Sequence, residues 1–141
     1  MVHKVIVERD LRVKMRDGAV LVANVFRPAK DGMGSEDGFS TVLVRTSYNK
    51  DNVKAAGIID PEQCAQRGYA VVLQDVRGRY TSDGSYYHGI YEVDDGYDTI
   101  EWIARQPWSN GKVVMIGASY LGWVQWWVAR ERPPHLVTII P

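Results

Sequence analysis

The residues best suited to chemistry fall at one junction of the chain. Val113-Val114-Met115-Ile116-Gly117-Ala118-Ser119-Tyr120-Leu121-Gly122 sets a serine between an apolar, β-rich run and a helical one, flanked by small residues. A nucleophile elbow needs this context, because its turn strains the serine backbone and leaves no room for a side chain two positions earlier. Gly117 meets that demand. A serine so placed lifts its hydroxyl above the carboxyl edge of a sheet, and the backbone N–H of Tyr120, opening the helix, can point at a developing oxyanion. The spacing G-x-S-x-G is only partly met, since Leu121 holds the second glycine's place and Gly122 follows it. A strand, a glycine turn and a helix capped by Ser119 would read the same way locally, serine being a favoured N-cap.

The elements around this junction follow from periodicity and punctuation. Val5 to Val7, Leu11 to Met15 and Val20 to Phe26 are β-rich, and the Asp17-Gly18 pair between the last two is a hairpin signal. Pro28 to Ser40 carries glycines among charged residues and no apolar face, which predicts an exposed loop. Thr41 to Arg45, Tyr69 to Leu73, Val113 to Ile116 and Leu136 to Ile140 are apolar runs of strand length. Between them, Pro61 to Gln66 reads as a short helix with Asp60 as N-cap and Gly68 as its stop. Glu92 to Gln106 reads as a longer one, with Tyr97, Ile100, Ile103 and Ala104 at helical spacing and Glu92, Asp94 and Asp95 at its positive end. Tyr120 to Arg130 is the third helix. Its apolar residues, including Trp123, Trp126 and Trp127, lie nearly all round, which predicts a buried helix with tryptophans packed in a core rather than forming a ligand cage.

Apolar strands alternating with helices predict a parallel sheet, because right-handed crossovers place helices on both faces. The fold class is therefore α/β, with antiparallel opening strands followed by a parallel sheet. The run ending at Ile140 and Pro141 leaves the last strand without a covering element, so residues 1–141 read as a single, incomplete domain.

The chain also resembles the family of cocaine esterase, X-prolyl dipeptidyl aminopeptidase and α-amino acid ester hydrolase. In that family the elbow reads G-x-S-Y-x-G, which Gly117-Ala118-Ser119-Tyr120-Leu121-Gly122 matches position for position. Arg45-Thr46-Ser47-Tyr48-Asn49-Lys50 is similar to its T/N-P-Y-x-K segment, and Gln74-Asp75-Val76-Arg77-Gly78 to its Q-D-x-R-G. Asp98-Thr99-Ile100-Glu101-Trp102-Ile103 before Gly111 extends the likeness. The resemblance implies the N-terminal portion of an α/β-hydrolase that is acylated on Ser119, with the backbone of Tyr120 and the hydroxyl of Tyr48 as oxyanion donors. Ser47 departs from the pattern, standing where the family commonly has proline, and this is expected to loosen the turn that carries Tyr48.

Other residues near these motifs are weaker candidates. Asp75 and Arg77 follow a strand end and are expected to brace the next loop as a pair, shaping the site without reacting. Tyr86, Tyr87, His88 and Tyr91 either line a pocket on the same edge or pack on one another. An α/β-hydrolase takes its acid and histidine from loops after the elbow. After Ser119 the sequence offers only Glu131 and His135, beyond a helix about 18 Å long at about 1.5 Å per residue. Neither is expected to reach a hydroxyl that needs contact near about 3 Å. His88 precedes the serine and would be an unusual base, and the isolated chain is expected to be nearly inert.

Composition narrows the partners. Seventeen basic and seventeen acidic side chains cancel, leaving no field to attract nucleic acid or an anionic membrane. Cys64 is the single cysteine, which excludes an internal disulfide and a paired-thiolate metal site. The N-terminus lacks an export signal's apolar core, and the uncharged run from Val113 to Ala129 is broken by Gly117, Ser119, Gly122 and Gln125. A cytoplasmic location, no cofactor, no metal and a small ester or peptide substrate are the expectations. Association with the rest of a hydrolase, or with a second copy, would cover the open sheet edge. The competing expectation is a non-catalytic scaffold pairing through that edge. A nucleotide binder is disfavoured, since neither G-x-G-x-x-G nor a P-loop lysine follows any strand.

Overall fold

The computed structural model describes residues 2–29 and 38–141. Among these, six strands form one mixed sheet: β1 Val5–Lys14, β2 Val20–Pro28, β3 Phe39–Thr46, β4 Ala70–Asp75, β5 Ser109–Ile116 and β6 Leu136–Ile140. Their order across the sheet is β1-β2-β4-β3-β5-β6. The helices are α1 Pro61–Gln66, α2 Glu92–Ala104 and α3 Tyr120–Arg130, with a single 3₁₀ turn at Lys50–Asn52.

β1 and β2 form the expected hairpin, closed by Met15 N–H on the Ala19 carbonyl at 2.8 Å. β2 runs antiparallel to β4, while β3 is parallel to both β4 and β5, and β5 to β6. The antiparallel opening therefore hands over to a parallel sheet between β2 and β4. One expectation is corrected here. Val5–Val7 and Leu11–Met15 are not separate strands but one bent strand, whose pairing with β2 slips between Glu8 and Leu11. The polar Glu8-Arg9-Asp10 segment breaks the alternation, and Asp10 turns to positive φ with its N–H held by Asn24 Oδ1 at 3.0 Å, as in a bulge. Of the expected Pro28–Ser40 loop, residues 30–37 lie outside the described residues. Pro28 itself ends β2, and Phe39 and Ser40 open β3.

The helices divide over the sheet. α1 is capped as its sequence demands, Asp60 Oδ1 accepting from Gln63 N–H at 3.1 Å, and it packs on β1, β2 and β4. α2 and α3 pack on each other and over β3 and β5. Every residue of β4 is buried. β6, at the sheet edge, leaves Val137 and Ile140 exposed.

Two expectations about the helices are also corrected. α3 buries Leu121, Val124, Gln125 and Val128, the stripe at i, i+3, i+4 and i+7. Trp123 and Trp126 stand off that stripe and are each 60% exposed, and only Trp127 packs against the core. In α2, Ile100 and Ile103 face inward as expected, but Tyr97 and Ala104 are only half-buried. The rest of its buried face is Glu92, Asp95, Gly96 and Thr99. Those carboxylates enter the interior because arginines meet them there. Arg45 Nη1 lies 2.6 Å from Glu92 Oε2, and Arg77 Nη2 lies 2.6 Å from Asp95 Oδ1.

Gly96 sits where α2 crosses α3, and a Cβ there would run into Val128 Cγ2 and come within 3.2 Å of Arg45 Nη1. Alanine would gain about 0.5–1 kcal/mol in helix propensity, whereas overpacking costs about 1–3 kcal/mol. Gly96→Ala is therefore expected to lower the melting temperature of the chain, and a rise in a thermal denaturation curve would contradict this packing.

Candidate functional site

β5 ends at Ile116 and α3 begins at Tyr120, so three residues reverse the chain direction. Gly117 takes φ 133° and Ser119 takes φ 60°, ψ −125°. The second is a conformation that costs an ordinary L-residue about 1–3 kcal/mol. A Cβ on Gly117 would stand 2.6 Å from Leu121 Cβ, which accounts for a glycine two positions before the serine. At Gly122 a Cβ would come within 3.3 Å of the Gly117 carbonyl, so that position also needs a small residue. Gln125 closes the corner from beneath, its Nε2 donating to the Gly117 carbonyl at 2.9 Å while its Oε1 accepts from Ile140 N–H at 2.9 Å.

Ser119 is exposed, and its hydroxyl caps nothing in α3. The plain N-cap alternative is therefore not what forms. The N–H groups of Leu121, Gly122 and Trp123 are taken by carbonyls of Ala118 and Ser119, but among the described residues none accepts from Tyr120 N–H. A serine hydroxyl beside an unoccupied amide at a helix N-terminus can serve nucleophilic attack and charge stabilisation together.

Tyr48 follows β3, at the same carboxyl edge of the sheet. The loop that carries it is pinned despite the missing proline. Ser47 is buried and its carbonyl accepts from Arg79 Nε at 3.0 Å, while Thr46 Oγ1 accepts from Tyr48 N–H at 2.9 Å. The Tyr48 and Tyr120 rings meet edge-on at 6.2 Å. A cleft of about 390 Å³ brings together Ser119, Tyr48 and Tyr120 with Ser47, Arg79, Tyr86, His88 and Trp123. Arg79 and Trp123 were not legible as site residues. Trp123 lies four residues beyond Ser119 on α3, a spacing that marks one helix face, and this was the signal available for it.

Tyr120 links the cleft to the interior. Its hydroxyl donates to Glu92 Oε1 at 2.9 Å. Burial first, then the Glu92 carboxylate and Tyr86, push its phenol well above the usual tyrosine range, which keeps it protonated as a donor.

Asp75 and Arg77 brace the loops around the cleft, but not as a pair. Asp75, fully buried, accepts from Lys50 N–H at 2.7 Å and from Thr81 Oγ1 at 2.8 Å. Arg77 lies between Asp95 and Asp17 and over the Tyr91 ring, 4.3 Å from its centre. Hydrogen bonds to Asp95, then Asp17, hold its guanidinium firmly charged. The alternation that would put residues i and i+2 on one face ends with β4 at Asp75, so Arg77 in the turn beyond it aims elsewhere, and each finds partners on other elements. The tyrosine-rich loop divides similarly. Tyr86 and His88 face the cleft, whereas Tyr87 is exposed and packs on Tyr91.

His88 shares the cleft with Ser119 but makes no hydrogen bond to it. Its ring lies 5.2 Å from that of Tyr120 and 5.6 Å from that of Trp127, with Tyr86 Oη 3.4 Å from Nδ1. His135 lies next to the start of β6, at the opposite end of the parallel strands, 2.9 Å from Glu101. Glu131 is 3.1 Å from Arg130 Nε at the far end of α3. No group of three or more potential metal ligands occurs among the described residues. Among the described residues, no helix is long and apolar enough to cross a membrane.

An open mixed sheet with a serine corner at the carboxyl edge of its parallel strands is the arrangement of an α/β-hydrolase, and the comparisons agree. The chain belongs to the X-Pro dipeptidyl-peptidase (S15) family, whose model matches residues 17–141. It is 36% identical over 137 residues to the cocaine esterase of Rhodococcus sp. (strain MB1 Bresler), covering 96% of this chain and 23% of that protein. A CocE/NonD family hydrolase from Staphylococcus aureus superposes with a TM-score of 0.82 at 35% identity, over 96% of this chain and 27% of that one. An α-amino acid ester hydrolase superposes at 0.79 with 28% identity, over 99% of this chain and 25% of that one. The chain thus spans about a quarter of the length of these relatives. The family is one of hydrolases.

The strain at Ser119 gives a direct test of the corner. Ser119→Gly loses about 0.5–1 kcal/mol through added freedom of the unfolded chain but relieves about 1–3 kcal/mol of backbone strain. It is expected to stabilise the chain by about 1 kcal/mol in urea denaturation, and a loss of stability would mean that residue 119 is not strained.

Proposed function

We propose that this chain is the nucleophile-bearing part of a serine hydrolase that cleaves esters or X-prolyl peptides. Ser119 Oγ attacks the substrate carbonyl carbon, and the carbonyl oxygen, now an oxyanion, accepts from Tyr120 N–H and the Tyr48 hydroxyl. Collapse of the tetrahedral species expels the alcohol or amine and leaves the acyl group on Ser119, from which water removes it. One observation carries this reading: a serine at positive φ stands beside an amide without an acceptor, in one cleft with a tyrosine hydroxyl. The donor pair supplies electrostatic stabilisation, for which each donor is worth about 10²–10³ in rate. The proton of Ser119 goes to a histidine oriented by an acid, and the described residues bring neither within hydrogen-bond reach of its hydroxyl.

The non-catalytic scaffold reading has one observation in its favour, the exposed edge strand β6 with Val137 and Ile140 uncovered. A discrete dimer in solution that buries Leu136–Ile140 would support it, and a monomer would count against it.

The catalytic reading is tested in two settings. With an activated ester, the 141-residue chain and its Ser119→Ala variant are expected to give the same background rate. Grafted in place of the matched segment of the Rhodococcus cocaine esterase, the chain is expected to turn over ester, with Ser119→Ala lowering kcat by about 10³ or more. A folded graft indifferent to Ser119→Ala would contradict the assignment of the nucleophile. Turnover by the chain alone that Ser119→Ala abolishes would contradict the need for an outside histidine.

A further inference from the structure

A buried carboxylate in contact with the first residue of α3 lies behind the cleft rather than in its lining. Glu92, 2% exposed, uses one carboxylate oxygen to accept from the Tyr120 hydroxyl at 2.9 Å and the other to meet Arg45 Nη1 at 2.6 Å. Arg45 continues the chain through Nε to Gln74 Oε1 at 2.8 Å, where Thr99 Oγ1 also donates at 3.1 Å. The series runs from β4 through β3 and the first turn of α2 to the first residue of α3.

We propose that Glu92 is a positioning residue for the oxyanion site: by holding the Tyr120 hydroxyl it fixes the direction of the Tyr120 backbone N–H and the seat of the Tyr48 ring. This rests on the reading of Tyr120 N–H and Tyr48 as oxyanion donors. Three observations support it. First, Tyr120 carries both ends of the device, since its amide borders Ser119 and its phenol is the group that Glu92 holds. With Ser119 strained and no side-chain cap on α3, the serine hydroxyl adds nothing that keeps the corner in place. Second, the Tyr120 ring is the common neighbour of the cleft's aromatic residues, with Tyr48 at 6.2 Å, Tyr86 at 6.2 Å and His88 at 5.2 Å. A shift of this ring would therefore move the Tyr48 hydroxyl as well as the amide. Third, a buried ion pair adds little net stability over apolar residues of the same size. This one also leaves Arg45 Nη2 and Gln74 Nε2 without partners. Its return is geometric, because charge-assisted bonds to a buried carboxylate are short and directional.

The test uses the 141-residue chain and an inert oxyanion mimic, phenylphosphonate, followed by ¹H–¹⁵N spectra of uniformly labelled protein. In the wild-type chain the Tyr120 amide is expected to move downfield and saturate. Tyr120→Phe, which removes only the hydroxyl and leaves the Arg45–Glu92 pair intact, is expected to weaken phenylphosphonate binding by about tenfold or more. Glu92→Gln is expected to do the same. Ile103→Val, which loosens α2 without touching this series, should lower the melting temperature and leave the affinity unchanged. Binding by Tyr120→Phe within about twofold of wild type would overturn the positioning role, whatever Glu92→Gln does. Equal weakening in Ile103→Val would reduce the effect to general loosening and overturn it too. No saturable shift in the wild-type chain would instead remove the oxyanion reading itself, and this inference with it.

Discussion

The conformation of one residue sets the geometry of everything near the cleft. Ser119 has φ 60°, outside the region its side chain prefers, and that kink is what turns the end of β5 into the start of α3 within three residues. The strain must be offset by surroundings that allow no relaxation. They are visible on each side: Leu121 fills the space a Cβ on Gly117 would need, and Gln125 ties the Gly117 carbonyl to the neighbouring strand through Ile140. Apolar packing of Leu121, Val124 and Val128 then fixes the helix against the sheet. The exposed hydroxyl and the unoccupied amide follow from this arrangement.

A second constraint is charge in the interior. Arg45, Lys50 and Asp75 are each almost wholly buried, and Arg77 nearly so. Lone buried charges would be very costly, so each has partners drawn from distant parts of the chain. Lys50 meets Asp10, Asp51 and Asp75 at 2.9, 3.3 and 3.8 Å. Although burial opposes it, hydrogen bonding to Asp10 and the fields of Asp75 and Asp51 hold its ammonium above the ordinary lysine range. These ties join the 3₁₀ turn after Tyr48 to β4 and the β1 bulge. The loops at the carboxyl edge are thereby held by ionic contacts where the hydrophobic core does not reach.

Much of the scaffold was legible because its signals are local. Asp60, Pro61 and Gly68 punctuate α1, and α3 and β6 begin and end where their apolar runs do. The Gly117–Gly122 pattern marked the corner, and its family form explained the displaced glycine. What could not be read depended on partners far along the chain. Glu8 to Asp10 looked like an interruption between strands, but the Asn24 side chain turns it into a bulge. Glu92 and Asp95 read as acids at the positive end of α2, with no sign of the buried Arg45 and Arg77 that they meet inside. Trp123 and Trp126 read as core because of their size, yet the stripe that α3 buries passes beside them. Asp75 and Arg77 read as a pair from adjacency, whereas their partners are Lys50, Thr81, Asp17 and Asp95.

The central claim is the corner at residue 119, and a crystal structure of the 141-residue chain tests it most directly. The account predicts Ser119 at φ near 60° with the Tyr120 N–H free of any protein acceptor and the Tyr48 hydroxyl on the same side of the sheet. Electron density showing Ser119 at a helical φ near about −60°, its Oγ bonded to an amide of the first turn as an ordinary cap, would contradict it.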